Sequence, residues 1–264
     1  MDGPQDRRLK RRRRLQAIPF KLVVPNLITV LSICAGLSGV RMALEGRIDI
    51  AVMLVLVAAL LDAVDGKVAR MMKATSPFGA QMDSLADIIN FGVAPALVLY
   101  IFILEKAGAI GWSAALIYAI ACGLRLARFN IMLDDPDRPV WKNDYFLGVP
   151  APAGAVLVML PIYLGLLGVK FDTGLAVFAG VYVVFVAALL ISQLPVYSGK
   201  ASGPRVRSDL VMPVMLVIVF YVALLASFTW LTMTASALAV LGFLPFSYRA
   251  YRRREARAAA PKNK

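Results

Sequence analysis

The sequence predicts an all-α, polytopic membrane protein of about eight transmembrane helices, on three observations. Hydrophobic residues make up 60% of the 264 and the mean hydropathy is +0.73, too apolar for a water-soluble domain of this length. Apolar runs of about twenty residues, enough to cross a hydrocarbon core, recur along the chain. Positive charge gathers at the two ends and in the short segments between the runs, leaving a formal net charge of +13. That distribution favours anionic membrane lipids as the partner of the charge, and no nucleic-acid partner is expected.

Residues 1–21 are polar and basic, with no small-residue cleavage site after an apolar run, and read as a cytoplasmic juxtamembrane tail rather than a signal peptide. A first span at about 24–44 opens with Pro25 and Asn26, ordinary helix-start residues. The short EGRID turn leads to a second span at 49–71, whose last third carries Asp62, Asp65 and Arg70. A break at Thr75-Ser76-Pro77 precedes the third, at 79–103. Span four, 112–129, closes with RLARFN, placing Arg125 and Arg128 three apart on one face, where they can snorkel or hold a phosphate or carboxylate. The longest polar connection, DDPDRPVWKNDYF, leads to FLGVPAPAGA and span five, ending near Gly168. Span six covers 173–191, a polar segment with Lys200, Arg205 and Arg207 follows, and spans seven and eight take 209–226 and 230–246. The expected organisation is a basic tail at 1–21, a membrane domain at 22–246 and a second basic tail at 247–264.

With eight spans both termini share one side of the membrane, and that side holds every lysine and arginine except Arg41, Arg47, Lys106 and Lys170. Positive-inside bias therefore puts both tails and the Asp62–Asp87 stretch at the cytoplasmic face, and the expected location is a bacterial inner (cell) membrane. The chain has no histidine, which removes imidazole bases, histidine-based triads and the usual zinc sites together. Cys34 and Cys122 are isolated in apolar runs and read as small packing residues, neither metal ligands nor a disulfide.

The anomaly in this apolar chain is its acidic cluster. Asp62, Asp65, Gly66 and Ala69 fall at i, i+3, i+4 and i+7, one helical face, and Gly79, Asp83 and Asp87 repeat the arrangement at i, i+4 and i+8 on the next helix. Two helices meeting through those faces bring four carboxylates round one point, with small residues leaving room beside them. Such a group needs cations, so one or two hard divalent ions with a phosphate-bearing ligand are the expected occupants. A transporter's cation path is the competing reading; it predicts acids spread through the membrane depth, whereas these four lie at one face.

The spacing Asp62-x2-Asp65-Gly66-x2-Ala69-Arg70-x8-Gly79-x3-Asp83-x3-Asp87 resembles, position for position, the signature of the CDP-alcohol phosphatidyltransferases, membrane enzymes that move a phosphatidyl group from a CDP-linked lipid to an alcohol. DSLADIINFGVAPA, RLARFN, FLGVPAPAGA and QLPVYSGK further resemble the family's phosphatidylserine synthase branch (CDP-diacylglycerol–serine O-phosphatidyltransferases). Ser32, where that branch usually has Asn, and the GVPAP element depart from the pattern.

The resemblance implies a six-helix catalytic core with two added C-terminal helices and a homodimer. It implies transfer from CDP-diacylglycerol to L-serine, with glycerol 3-phosphate or an inositol phosphate as the alternative acceptor. Asp62, Asp65, Asp83 and Asp87 would bind two Mg²⁺ or Mn²⁺ ions, with Asp87 also the base toward the acceptor hydroxyl. Asn26, Thr29, Asp62, Gly66, Arg70, Ser76 and Gly79 would contact the CDP-lipid, the two glycines by letting it approach the backbone. Serine being a zwitterion, Arg128 and Lys200 are candidates for its carboxylate, and Asn130 or the Asp135 region for its ammonium.

Overall fold

The computed structural model describes residues 20–73, 76–133, 145–197 and 208–259. In chain order these form α1 (Phe20–Leu44), α2 (Ile48–Met71), α3 (Pro77–Asp87), a π-turn (Ile88–Val93), α4 (Ala94–Phe102), a 3₁₀ turn (Leu104–Ala107) and α5 (Ala109–Leu133). Then come β1 (Tyr145–Leu147), α6 (Ala151–Val158), α7 (Leu160–Leu166), α8 (Thr173–Ile191), β2 (Pro195–Tyr197), α9 (Ser208–Ser227) and α10 (Thr229–Ala259). The protein is an all-α polytopic membrane protein. Val23–Leu44, Pro77–Phe102, Ala109–Met132, Thr173–Ile191 and Thr229–Arg254 are long and apolar enough to cross a membrane alone. Ala151–Leu166 and Val211–Ser227 are shorter apolar helices, and α2 has the length, 24 residues, but carries Asp49 in its first turn and Asp62, Asp65, Lys67 and Arg70 in its C-terminal half.

α1 and α2 form a long antiparallel hairpin in which Ala51, Val52, Val55 and Ala58 face inward, one stripe at helical spacing. Gly39 allows the close approach, since a Cβ there would stand 3.0 Å from the Ala51 carbonyl. α5 and α8 pack against each other and, with α4, α6 and α7, enclose the core around Tyr118, Tyr163, Phe91 and Leu99. Of the cysteines, Cys122 packs inside against Gly92, but Cys34 is exposed, because its side of α1 faces away from α2; both thiols are free.

The expected third and fifth spans are not continuous helices, and proline is the physical reason. Pro95 has no N–H for the carbonyl four residues back; the chain opens into a π-turn, in which the Ala94 N–H reaches Ile89 O, and the Tyr118 hydroxyl donates to Phe91 O at 2.9 Å. Pro161 ends α6 in the same way, and the Tyr182 hydroxyl donates to Leu157 O at 2.9 Å. In each case a tyrosine from a neighbouring helix supplies the donor that the proline lacks.

Two further features differ from the sequence expectation. A short antiparallel ribbon, not anticipated from the sequence, pairs Tyr145 with Tyr197, Phe146 with Val196 and Leu147 with Pro195. The last helix runs to Ala259 rather than stopping at 246, because its Arg, Glu and Ala residues are good helix formers. It lies against α6, α7 and β2, where Ser247 Oγ donates to Pro195 O at 2.8 Å.

Tyr118→Phe is expected to destabilise the protein by about 1–3 kcal/mol, the cost of a buried carbonyl deprived of its donor. The same change in a Pro95→Ala background should cost clearly less, because alanine restores the backbone N–H. Thermal exposure of the buried Cys122 thiol to a reactive dye, in Cys34→Ser protein, reads both; equal costs would refute the pairing.

Candidate active site

The acidic face of α2 meets α3, and α1 packs against both. Asp62, Asp65 and Asp83 each place a carboxylate oxygen within 4.8 Å of the other two. Asp87 lies beside them in hydrogen-bonding contact with Asp62. α1 contributes Thr29, whose Oγ1 stands 2.6 Å from Asp65 Oδ2 and 3.1 Å from Pro25 O. Asp62 Oδ1 and Asp65 Oδ1 are buried and accept no hydrogen bond among the described residues. Three convergent carboxylates with unpartnered oxygens fit a hard divalent cation, which takes oxygen ligands and removes the like-charge conflict.

Beside the carboxylates opens a cavity of about 480 Å³, within the range of small-ligand sites. Asn26, Thr29, Gly66, Arg70, Ser76 and Gly79, all predicted to contact a CDP-lipid, line it together with Asp65 and Asp83. A Cβ on Gly66 would meet no protein atom within 4 Å, so that glycine keeps the cavity, not a helix contact, clear. Gly79 differs, since a Cβ there would press on Asn26 Oδ1 at 3.0 Å and Ser76 Oγ at 3.2 Å. Ser76 caps α3, accepting from the Gly79 N–H at 3.0 Å, and keeps its own hydroxyl proton for another acceptor.

On the α5 side the two arginines have different surroundings. Arg125 is 6% exposed, its Nε has no hydrogen-bond partner among the described residues, its guanidinium sits 5.9 Å from the Phe129 ring centroid, and it is near enough to Asp87 for their charges to interact. Arg128 is committed to backbone: it donates to Ile191 O at 2.7 Å, Ser192 O at 3.1 Å and Leu147 O at 3.2 Å, tying β1 to the C-terminus of α8. Gly148, at φ +78°, leaves room for that tie, since a Cβ would run into the Leu190 carbonyl. Asn130 Nδ2 donates to Ser84 Oγ at 3.1 Å. Lys200 and Asp135 lie outside the described residues. The helix-face pattern in RLARFN points to both arginines without separating them; burial separates them.

The family model for CDP-alcohol phosphatidyltransferase matches residues 22–192, from α1 through α8. A CDP-diacylglycerol–serine O-phosphatidyltransferase of Mycobacterium leprae (strain TN) is 46% identical over 178 residues, 66% of this chain and 57% of that protein. One of Mycobacterium bovis (strain ATCC BAA-935 / AF2122/97) is 39% identical over 235 residues, 87% of this chain and 79% of the relative. One of Helicobacter pylori (strain ATCC 700392 / 26695) is 41% identical over 140 residues, 53% of this chain and 57% of the relative.

Asp83→Asn is expected to raise the melting temperature of metal-free protein by a few degrees, because it removes like-charge repulsion, and to abolish the thermal shift given by Mn²⁺. Differential scanning fluorimetry with and without the ion checks both; a mutant less stable than its parent and still shifted by Mn²⁺ would contradict the geometry.

Proposed function

The chain belongs to the CDP-alcohol phosphatidyltransferase family, and from that premise we propose that it transfers the phosphatidyl group of CDP-diacylglycerol to L-serine, yielding phosphatidylserine and CMP. The observation that carries the reading is the convergence of Asp62, Asp65 and Asp83 beside a cavity that Gly66 keeps open. The names of the similar mycobacterial and Helicobacter proteins support serine as the acceptor.

Asp62, Asp65 and Asp83, joined by Asp87, would hold two Mg²⁺ or Mn²⁺ ions, which when bound neutralise the pyrophosphate and stabilise the charge on departing CMP. Arg70, exposed on the cavity wall, pairs with a phosphate oxygen, and the free hydroxyl proton of Ser76 serves the nucleotide. Asn26 and Thr29 bound the same cavity from α1. Asp87 takes the proton of the serine hydroxyl as that oxygen bonds to the lipid-side phosphorus; the phosphoanhydride bond breaks and its electrons leave with CMP. Arg125, buried near Asp87 with an uncommitted donor, is suited to the serine carboxylate. Arg128 and Asn130 stand behind it, Arg128 fixing the backbone around this region and Asn130 bonded to Ser84. Lys200 remains an acceptor-site candidate by sequence.

The active site is proposed to face the cytoplasm from a bacterial inner membrane, with the basic tails binding anionic lipids and the protein working as a homodimer. The one-sided distribution of lysine and arginine supports the orientation.

Purified protein in detergent with Mn²⁺ or Mg²⁺ should release CMP from CDP-diacylglycerol with L-serine, and not with glycerol 3-phosphate, inositol or inositol 3-phosphate. Asp87→Asn should lower kcat by about 10²–10⁴-fold. Arg125→Gln should raise the serine KM at least tenfold with the CDP-diacylglycerol KM little changed. Release with another acceptor would keep the chemistry and change the product, whereas release with none would overturn the proposal.

A further inference from the structure

Behind the carboxylates, away from the cavity, lies a second polar group that the transfer does not use. Asn90 is fully buried in the π-turn, three residues past Asp87. Its Nδ2 donates to Ser32 Oγ on α1 at 2.9 Å; Ser32 Oγ donates to Thr29 O at 2.7 Å; Thr29 Oγ1 stands 2.6 Å from Asp65 Oδ2. A continuous polar line thus joins the turn after Asp87 to a carboxylate on α2, by way of α1. Gly36 leaves α1 bare where the carboxamide enters, for a Cβ there would lie 2.6 Å from Asn90 Oδ1.

Packing does not account for an amide at this position. Asn90 Oδ1 is buried and accepts no hydrogen bond, a cost that an apolar side chain of similar size would avoid. Nor does packing fix the rotation of α3. α4 is anchored by Ala94, Ala96, Val98 and Leu99, but α3 buries only Ala86, and the π-turn between them breaks the fixed phase of a continuous α-helix. Asn90 stands three residues past Asp87, within the π-turn, so its bond to Ser32 on α1 holds the chain directly beside the acidic end of α3.

We propose that Asn90 is a positioning residue for the acidic cluster, its bond to Ser32 setting the rotation of α3 and, through Thr29, keying α3 to Asp65 on α2. The inference rests on the reading that the cluster binds divalent ions. Its consequence is a ligand set ordered before any ion arrives, and hence a higher affinity than the same carboxylates would have on a freely rotating segment.

The test is Mn²⁺ affinity of the purified full chain in detergent without substrate, from the electron paramagnetic resonance signal of free Mn²⁺. Asn90→Leu and Ser32→Ala are each expected to weaken binding by about tenfold or more, and the double variant by no more than the worse single one. The Mn²⁺ concentration for half-maximal CMP release should move by the same factor, with a smaller loss in kcat at saturating metal. Gly36→Ala, which crowds the carboxamide but leaves every hydroxyl in place, should shift affinity in the same direction and serves if Asn90→Leu does not fold. Unchanged Mn²⁺ affinity in folded variants, whatever their melting temperature, or additive losses in the double variant, would overturn the proposal. Parent protein that binds no Mn²⁺, or binding that survives Asp83→Asn, would instead bring down the metal reading on which it rests.

Discussion

Repulsion among Asp62, Asp65 and Asp83 sets the condition that the rest of the fold has to meet. Two ionised carboxylates 4.8 Å apart repel by about 3 kcal/mol even at an effective dielectric near 20, and three such pairs meet here. One hydrogen bond from Thr29 to Asp65, worth about 1.5–3 kcal/mol as a bond to a charged group, does not offset that. What brings the acids together is the apolar packing of α1 against α2 and of α4 within the core, which holds the ends on which the charged residues sit close to one another without fixing the rotation of α3. The site is a strained end of a well-packed bundle, and a cation of the right hardness relieves the strain.

The small residues of this region divide their work. Gly66 borders open cavity, Gly79 makes room for the side chains of Asn26 and Ser76, and Gly36 makes room for Asn90. The motif spacing presents the first two as equivalent points of ligand approach. Only the neighbours of each absent Cβ tell them apart: a Cβ on Gly66 would enter open cavity, whereas one on Gly79, which also lines the cavity, would meet Asn26 and Ser76.

Much of this was legible in the sequence. Helical periodicity and the DxxDG spacing put Asp62, Asp65 and Asp83 together, as the structure does, and the apolar runs located the helices with boundaries close to those observed except at the C-terminal end of α10. What could not be read was set by contacts between distant segments. Nothing local distinguishes Arg125, left with a free donor, from Arg128, spent on the carbonyls of Leu147, Ile191 and Ser192. The ribbon between β1 and β2 pairs residues some fifty apart in connections with no strand periodicity of their own. The breaks at Pro95 and Pro161 are likewise absent from the continuous spans expected of the apolar runs, and the tyrosines that complete them lie on other helices.

Those proline–tyrosine pairs also constrain how a chain of this kind can diverge. While Pro95 stands, loss of the Tyr118 hydroxyl leaves the Phe91 carbonyl short of a donor in the buried core; once Pro95 is gone, the backbone N–H can take the hydroxyl's place. The order of substitution is therefore not free, since the proline has to go first and the tyrosine can follow. Pro161 and Tyr182 impose the same one-way path at a second place. Positions 95 and 118, and 161 and 182, should accordingly covary among homologous chains, although neither pair lies in the acidic motif.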